Sequence, residues 1–162
     1  MMEMELVGVR VELPSNTPIV LLREREGDRR LLPIFIGGPE ATAIALALDE
    51  VQTPRPMTHD LMKDVLDELG ARADRVVVTA LEEGTFYAEL HLSAHGDRHV
   101  VSSRPSDAVA LAVRTGTPIF AEEAVLDEVA YTVNEDEEEP PEEVVEQFRE
   151  FIDNVNPEDF AS

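Results

Sequence analysis

The first 36 residues show the apolar and polar pattern of three β-strands. Residues 3–13 alternate apolar and polar positions, which is typical of a strand with one buried face. Residues 17–23 and 29–36 are compact apolar runs, and the polar segment 24–28 between them contains Gly27. This order predicts a hairpin, so the chain is expected to begin as part of an antiparallel sheet.

Two helices are predicted next. Residues 37–50 open with Gly-Gly-Pro-Glu and continue with apolar residues at helical spacing, which places the proline in the first turn. A second helix is predicted from Thr58, its expected N-cap, to about Leu69, and Gly70 would end it. The apolar face of this helix would consist of Leu61, Met62, Val65, Leu66 and Leu69.

The second half of the chain continues this mixture of strands and helices. Residues 105–115 are rich in alanine and valine, which predicts a well-buried helix that Gly116 ends. A short helix is predicted over 122–128. Strands are predicted at 75–81, 85–93, 99–102 and 118–120, the last of them a brief edge strand. Together these elements predict an α+β fold, in which a mixed, mostly antiparallel β-sheet is covered by helices.

The length of 162 residues suits one domain, which would span residues 1–131, followed by an acidic extension. Residues 132–141 contain five consecutive acidic residues and two prolines. This composition predicts a flexible linker, because like charges repel and prolines interrupt regular structure. Residues 142–162 would begin with an amphipathic helix, which packs on the core or on another subunit, and end in a tail.

The charge of the chain is strongly negative and unevenly distributed. The net formal charge is −22, and residues 122–162 carry sixteen acidic residues and one base. Nonspecific nucleic-acid binders usually present a basic face, so any RNA or DNA would be held locally or through a bridging cation. The acidic extension would be a solvated spacer, a binding site for a basic partner, or a lid that competes with nucleic acid.

Some classes of protein and site are disfavoured by what the sequence lacks. There is no cysteine, which excludes disulfides, thiolate catalysis and cysteine-ligated metals. There is no apolar run long enough to span a membrane and no signal-peptide pattern. We therefore expect a cytoplasmic protein without a membrane partner.

The candidate chemistry lies in two motifs that begin with Arg-Pro. They read Arg55-Pro56-Met57-Thr58-His59-Asp60 and Arg104-Pro105-Ser106-Asp107. Each motif lies at a predicted helix start, where Thr58 and Ser106 could satisfy free backbone amides. Asp60 and Asp107 would lie near the positive end of a helix dipole. Arg55 and Arg104 could each bind a phosphate or a carboxylate bidentately.

These residues admit a catalytic and a structural interpretation. In the first, Glu40, Asp60 and Asp107 bind Mg²⁺ or Mn²⁺, and His59 is a general base or a further ligand. The substrate phosphate would be contacted by Arg55, Arg104, Thr58 and Ser106. In the second, Arg55 pairs with Asp107 and Arg104 with Asp60, or each arginine pairs within its own motif. Such pairs would only hold two helices in register.

Two further features give weaker signals. His91, His95 and His99 recur every four residues, but they lie on a predicted strand and turn, where that spacing does not favour shared metal binding. Of the adjacent aromatic residues, Phe86 is expected to face the core and Tyr87 the solvent, because side chains alternate along a strand.

Five motifs occur together in an order and spacing that resembles the bifunctional nuclease domain family of bacteria, archaea and plants. They are Leu32-Pro33-Ile34-Phe35-Ile36-Gly37, Glu40-Ala41, the first Arg-Pro motif with Leu61, Gly84-Thr85-Phe86-Tyr87-Ala88, and the second Arg-Pro motif with Ala108. The resemblance spans roughly residues 4–130, and the acidic extension is similar to that of actinobacterial members. It implies an α+β fold, RNase or DNase activity and self-association.

One position departs from that family's pattern. Members of the family often have an aspartate two residues before the second Arg-Pro, where this chain has Ser102. If that aspartate helps to hold a metal, its absence weakens the case for a nuclease.

The leading hypothesis is a metal-assisted nuclease that hydrolyses phosphodiester bonds of RNA or DNA and forms a homo-oligomer. The alternative is a noncatalytic oligomeric scaffold or regulatory module, in which the two Arg-Pro motifs are structural. A third hypothesis is that the two arginines bind a small anionic metabolite.

Overall fold

The computed structural model describes residues 1–133 of the chain. The strands are β1 (Met2–Glu12), β2 (Thr17–Glu24), β3 (Leu31–Phe35), β4 (Ala71–Glu82), β5 (Thr85–Ala94), β6 (Asp97–Ser103) and β7 (Ile119–Ala121). The helices are α1 (Gly38–Leu48), α2 (Thr58–Glu68), α3 (Pro105–Thr115) and α4 (Glu123–Val129). Most of the predicted linker at 132–141 and all of the predicted helix and tail at 142–162 lie outside the described residues.

The seven strands form one mixed sheet in the order β3-β2-β1-β7-β4-β5-β6. Every neighbouring pair is antiparallel except β4 and β7, which are parallel. The predicted α+β fold with a mixed, mostly antiparallel sheet is therefore confirmed. The sheet consists of two antiparallel units, β1-β2-β3 and β4-β5-β6, joined through β7.

The position of β7 corrects the prediction of an edge strand at 118–120. This strand lies at the centre of the sheet, and its Ile119 and Ala121 are buried. A strand of only three residues gives too short a pattern to distinguish a central position from an edge position. The edges of the sheet are β3 and β6.

Helix boundaries follow the sequence signals closely where those signals are strong. Helix α3 occupies the predicted residues, begins at Pro105 and ends at Gly116, which adopts the left-handed conformation with φ of 67°. Helix α2 begins at Thr58, but its N-cap is Met57, so the predicted Thr58 cap is wrong. Strand β4 starts four residues before the predicted 75, in a stretch with a register irregularity between Ala73 and Arg75.

Helices α1 and α3 pack against each other, and α2 packs against α3 and over β4. The buried faces of α1 and α3 are rich in alanine, whose small side chain lets the helices approach closely. The innermost residues, each at most 1% exposed, include Val20, Leu22, Leu32, Ile34, Ile44, Val76, Val78, Leu111 and Leu126. One continuous core therefore holds the helices on the sheet. No helix within residues 1–133 is both long and apolar enough to cross a membrane.

Helix α2 differs from its neighbours because little of it is buried. Its one buried residue is His59. Met62 and Leu66 pack partly against the core, as predicted. The predicted apolar face is wrong for the other three positions, because Leu61, Val65 and Leu69 are exposed. They recur at every fourth residue and form a separate apolar stripe on the outer side of the helix.

We expect Ile119→Ala in central strand β7 to destabilise the whole domain by about 2–5 kcal/mol, because it leaves a cavity between the two antiparallel units. Val100→Ala is the matched control, since Val100 is 58% exposed on edge strand β6. Its effect should stay within about 0.5 kcal/mol. Urea unfolding followed by circular dichroism measures both. Equal losses in the two variants would contradict the central position of β7.

Candidate functional site

A cleft of about 880 Å³ lies where the first turns of α1, α2 and α3 meet strands β5 and β6. Each of these three helices carries one acidic residue in its first turn: Glu40, Asp60 and Asp107 respectively. A carboxylate is favourable there because the positive end of the helix dipole and the unpaired amides face it. The polar side chains lining the cleft include Glu40, Thr58, His59, Ser102, Arg104 and Asp107.

Arg104 joins two of the helices. Its Nε donates to Oδ2 of Asp107 at 2.8 Å, and its Nη2 donates to Oε1 of Glu40 at 2.7 Å. The pKa of the Arg104 guanidinium is raised, most of all by its hydrogen bond to Glu40 and next by its hydrogen bond to Asp107. The arginine side chain is nevertheless 63% exposed, so its remaining N–H groups can still reach a ligand in the cleft.

His59 and Asp107 form the second connection. Nε2 of His59 lies 2.8 Å from Oδ1 of Asp107, and His59 is buried. An ionised carboxylate has only acceptors, so Nε2 donates and Nδ1 is left as the basic nitrogen of the ring. The two oxygens of Asp107 thus bind different partners, His59 on one side and Arg104 on the other.

The carboxylate of Glu40 is positioned by the turn before α1. Gly37 is the N-cap of this helix, and a Cβ atom at this position would collide with the Glu40 carboxylate. A larger residue at position 37 would therefore push the Glu40 carboxylate away from its present position beside Arg104.

Asp60 does not join the other two carboxylates. Its Oδ1 accepts a hydrogen bond at 2.7 Å from Nε of Arg114, and its Oδ2 accepts one at 2.9 Å from the amide of Met57. Burial alone would raise the pKa of Asp60, but the bonds from Arg114 and Met57 outweigh it and lower the pKa. Asp60 lines a different pocket, with Lys63 and Arg114.

Arg114 was not identified from the sequence, although it connects all three helices. Its side chain is 7% exposed, and besides Asp60 it bonds the carbonyls of Ala110 and Ala43. The sequence did contain a signal for this role. Arg114 lies in the last turn of a mostly buried helix, and a buried charge needs a partner. By holding Asp60, Arg114 fixes the start of α2 and hence the position of His59.

Of the three remaining predicted site residues, one lines the cleft. Arg55 is exposed, and its side chain has no hydrogen bond or ion pair with the residues that the structure describes. Thr58 lines the cleft, whereas Ser106 is buried in the first turn of α3 and does not. Of the predicted ion pairs, the one within the second motif, Arg104 with Asp107, is present.

The predicted metal ligands do not fit a metal site as they are arranged. Within residues 1–133, no group of three or more Asp, Glu or His side chains is placed to hold an ion. Glu40 and Asp107 offer hard oxygen donors, but Arg104 already supplies the positive charge between them. Ser102, where family members often have an aspartate, lines this cleft. The departure from the family pattern therefore lies at the site itself.

The structure also shows where the three regularly spaced histidines and the two adjacent aromatic residues lie. His91 bonds Glu89 at 3.0 Å on the sheet, and His95 and His99 are exposed. Phe86 packs against the core and Tyr87 is exposed, which confirms the predicted alternation.

We expect Arg114→Met to lower the free energy of unfolding by about 1–3 kcal/mol at neutral pH, because it removes the partner of a half-buried carboxylate. The native pKa of Asp60 is lowered, so its contribution is complete above the ordinary aspartate value of about 3.9 and disappears as the pH falls through the native pKa. The difference between variant and wild type should therefore shrink below about pH 4. Chemical denaturation across this range measures it.

Arg72→Met is the matched control, because it removes an exposed arginine that bonds a single carboxylate, Asp74. Its cost should be below about 1 kcal/mol. A cost for Arg114→Met that is no larger would contradict the connecting role of Arg114.

Comparison with known proteins supports one family. The sequence profile of the bifunctional nuclease domain matches residues 20–134. An uncharacterized protein of Mycobacterium tuberculosis strain H37Rv is 48% identical over 166 residues, which cover 99% of this chain and 98% of that protein. The protein named bifunctional nuclease 2 of Arabidopsis thaliana is 35% identical over 112 residues, which cover 66% of this chain and 34% of that protein. The chain thus spans about a third of that plant relative, and it belongs to the bifunctional nuclease domain family.

Proposed function

We propose that this protein cleaves phosphodiester bonds of RNA or DNA at the cleft between α1, α2 and α3. Membership of the bifunctional nuclease domain family and the name of the plant relatives support a nuclease. The observation that carries the proposal is the chain of contacts His59–Asp107–Arg104 in the wall of an open cleft. It puts a proton acceptor, its orienting carboxylate and a phosphate-binding group side by side.

The proposed reaction assigns one role to each of these groups. Nδ1 of His59 takes the proton of an attacking water, whose oxygen bonds to phosphorus while the bond to the leaving oxygen breaks. Asp107 holds the ring in this tautomer and stabilises the imidazolium that forms. Arg104 directs its remaining N–H groups at the phosphate oxygens, where negative charge accumulates in the transition state. The leaving oxygen takes a proton from the imidazolium or from solvent.

The requirement for Mg²⁺ or Mn²⁺ is a separate proposal. Glu40 and Asp107 are the carboxylates of the cleft, and both are engaged by Arg104. The steps proposed above therefore involve only His59, Asp107, Arg104 and water. Comparing activity in EDTA with activity in either ion tests the metal requirement independently of the roles of His59 and Arg104.

Cleavage of labelled single-stranded RNA and DNA by the purified full chain tests the proposal. We expect His59→Asn to reduce the rate at least about 100-fold, because general acid–base groups contribute roughly that much or more. His95→Asn is the matched control, since this histidine is exposed and does not line the cleft. Circular dichroism and the unfolding midpoint establish that both variants are folded.

If the wild type cleaves neither polymer faster than folded His59→Asn, with or without a divalent ion, the nuclease proposal is wrong. Equal losses in His59→Asn and His95→Asn would also contradict it, because the loss would then not depend on the cleft.

A second candidate function, a noncatalytic oligomeric scaffold or regulatory module, is favoured by one specific observation. Leu61 and Val65 on α2, and Leu69 at its C-cap, are 55%, 46% and 62% exposed and lie on one side of the helix. A continuous exposed apolar stripe is typical of a surface that another protein covers. In this case Arg104 would be structural and would only link α1 to α3 through Glu40 and Asp107. Self-association itself remains a prediction.

A further inference from the structure

Most arginines within residues 1–133 form ion pairs with carboxylates, and two of those that do not, Arg75 and Arg98, line one groove. Arg23, Arg30 and Arg114 are examples of arginines in ion pairs. Within residues 1–133, the exposed side chains of Arg55, Arg75 and Arg98 form no ion pair within 4 Å, although Arg98 is close enough to Asp74 to help lower the pKa of that carboxyl. Nη2 of Arg75 lies 3.5 Å from Nδ1 of His91. Arg75 and Arg98 both line the same groove.

This groove is a second feature of the sheet, separate from the cleft of the candidate site. It has a volume of about 840 Å³ and crosses β4, β5 and β6, with the segment between α3 and β7 on one side. Strand register places Arg75 opposite His91 and Arg98 opposite Ser93, and Arg72 also faces Ser93 from β4. The sheet therefore fixes the backbone positions of three arginines next to one another.

The acidic residues in the groove do not cancel these charges. Asp74 is engaged by Nε of Arg72 at 2.9 Å and by the hydroxyl of Ser93 at 3.1 Å. Asp97 is the other carboxylate that lines the groove. The lining carries three arginines and two aspartates, a formal excess of one positive charge in a chain whose net charge is −22. Glu89 lies beside the groove, where its carboxylate contacts Nε2 of His91 at 3.0 Å.

We propose that the groove of Arg72, Arg75 and Arg98 binds the phosphodiester backbone of a nucleic acid. The inference takes its ligand class from the proposed function, and adds a binding surface outside the cleft. Guanidinium groups form paired hydrogen bonds with phosphate oxygens. Among the residues that the structure describes, no Phe, Tyr or Trp lines the groove to stack on a base, so the proposed binding is to the backbone irrespective of sequence.

Strand β6 connects this groove to the cleft. Its residues 97–100 line the groove, and its residues 101–103, followed by Arg104, line the cleft. At about 3.3 Å per residue, Arg98 and Arg104 are separated by roughly 20 Å of strand. A polynucleotide that passes along edge strand β6 can reach both, whereas a dinucleotide in the cleft cannot. The groove therefore favours long substrates over short ones.

The test is fluorescence anisotropy of a labelled single-stranded oligonucleotide with the full chain in EDTA, repeated over a range of salt concentrations. We expect the double variant Arg75→Gln with Arg98→Gln to bind more weakly at low salt. Each phosphate contact on a single strand contributes about 0.7 to the slope of log affinity against log salt. Loss of two contacts should therefore flatten the slope by about 1.4.

The matched control is Arg25→Gln with Arg29→Gln. It removes the same charge from exposed arginines that are paired with Glu3 and Glu5 at the far side of the sheet. Its salt slope should equal that of the wild type. If both double variants flatten the slope equally, or if neither does, or if the wild type does not bind, the groove is not a nucleic-acid site.

This test separates the groove from the proposed chemistry. Binding that depends on Arg75 and Arg98 in a protein that cleaves nothing would support the groove and reject the nuclease. Cleavage of a dinucleotide at the wild-type rate by the Arg75 and Arg98 variant, with slower cleavage of a long strand, would support both. Unchanged cleavage of the long strand, together with unchanged binding, would reject the groove and leave the nuclease proposal standing.

Discussion

The carboxylate of Asp107 accepts hydrogen bonds from two directions, and the arrangement of the cleft depends on both. On one side His59 ties the start of α2 to the start of α3, and on the other Arg104 ties α3 to Glu40 of α1. A second set of bonds from Arg114 holds α2 from behind through Asp60. Because all three helices begin at the same place, a shift in any first turn changes the distances between the reacting groups.

The same bonds explain why a structural and a catalytic interpretation arise from identical residues. Charge pairs that cross between helices fix their relative positions, and they also orient a histidine and an exposed arginine towards a cleft. Because His59 is buried, its ring is held in one orientation. Because the Arg104 side chain is 63% exposed, it can still contact a ligand. Our proposal relies on this difference in exposure between the two partners of Asp107.

The parts of the fold that carry strong local signals could be predicted from the sequence. Helix α3 has the predicted bounds, because Pro105 suits the first helical position and Gly116 suits the left-handed conformation that ends the helix. The central position of β7 depends on pairing with β1 and β4, which are distant in sequence. Local patterns contain no information about such partners, so a strand of three residues could not be placed.

In the candidate site, too, local features could be predicted from the sequence and long-range contacts could not. The first-turn positions of Glu40, Asp60 and Asp107 follow from local pattern, but the partner of each carboxylate is set by how the helices pack. The sequence suggested that Asp60 would join the others, and instead Arg114 engages it in another pocket. The grouping of Arg72, Arg75 and Arg98 in one groove could not be predicted either, because it depends on how β4, β5 and β6 pair.

The most direct measurement of the central claim is a double-mutant cycle on cleavage rate with His59→Asn, Asp107→Asn and the double variant. If Asp107 acts by orienting His59, the double variant should be little slower than His59→Asn alone, because groups that act as one unit are not additive. Losses that multiply, or a single variant that cleaves at the wild-type rate, would contradict the role of the His59–Asp107 pair.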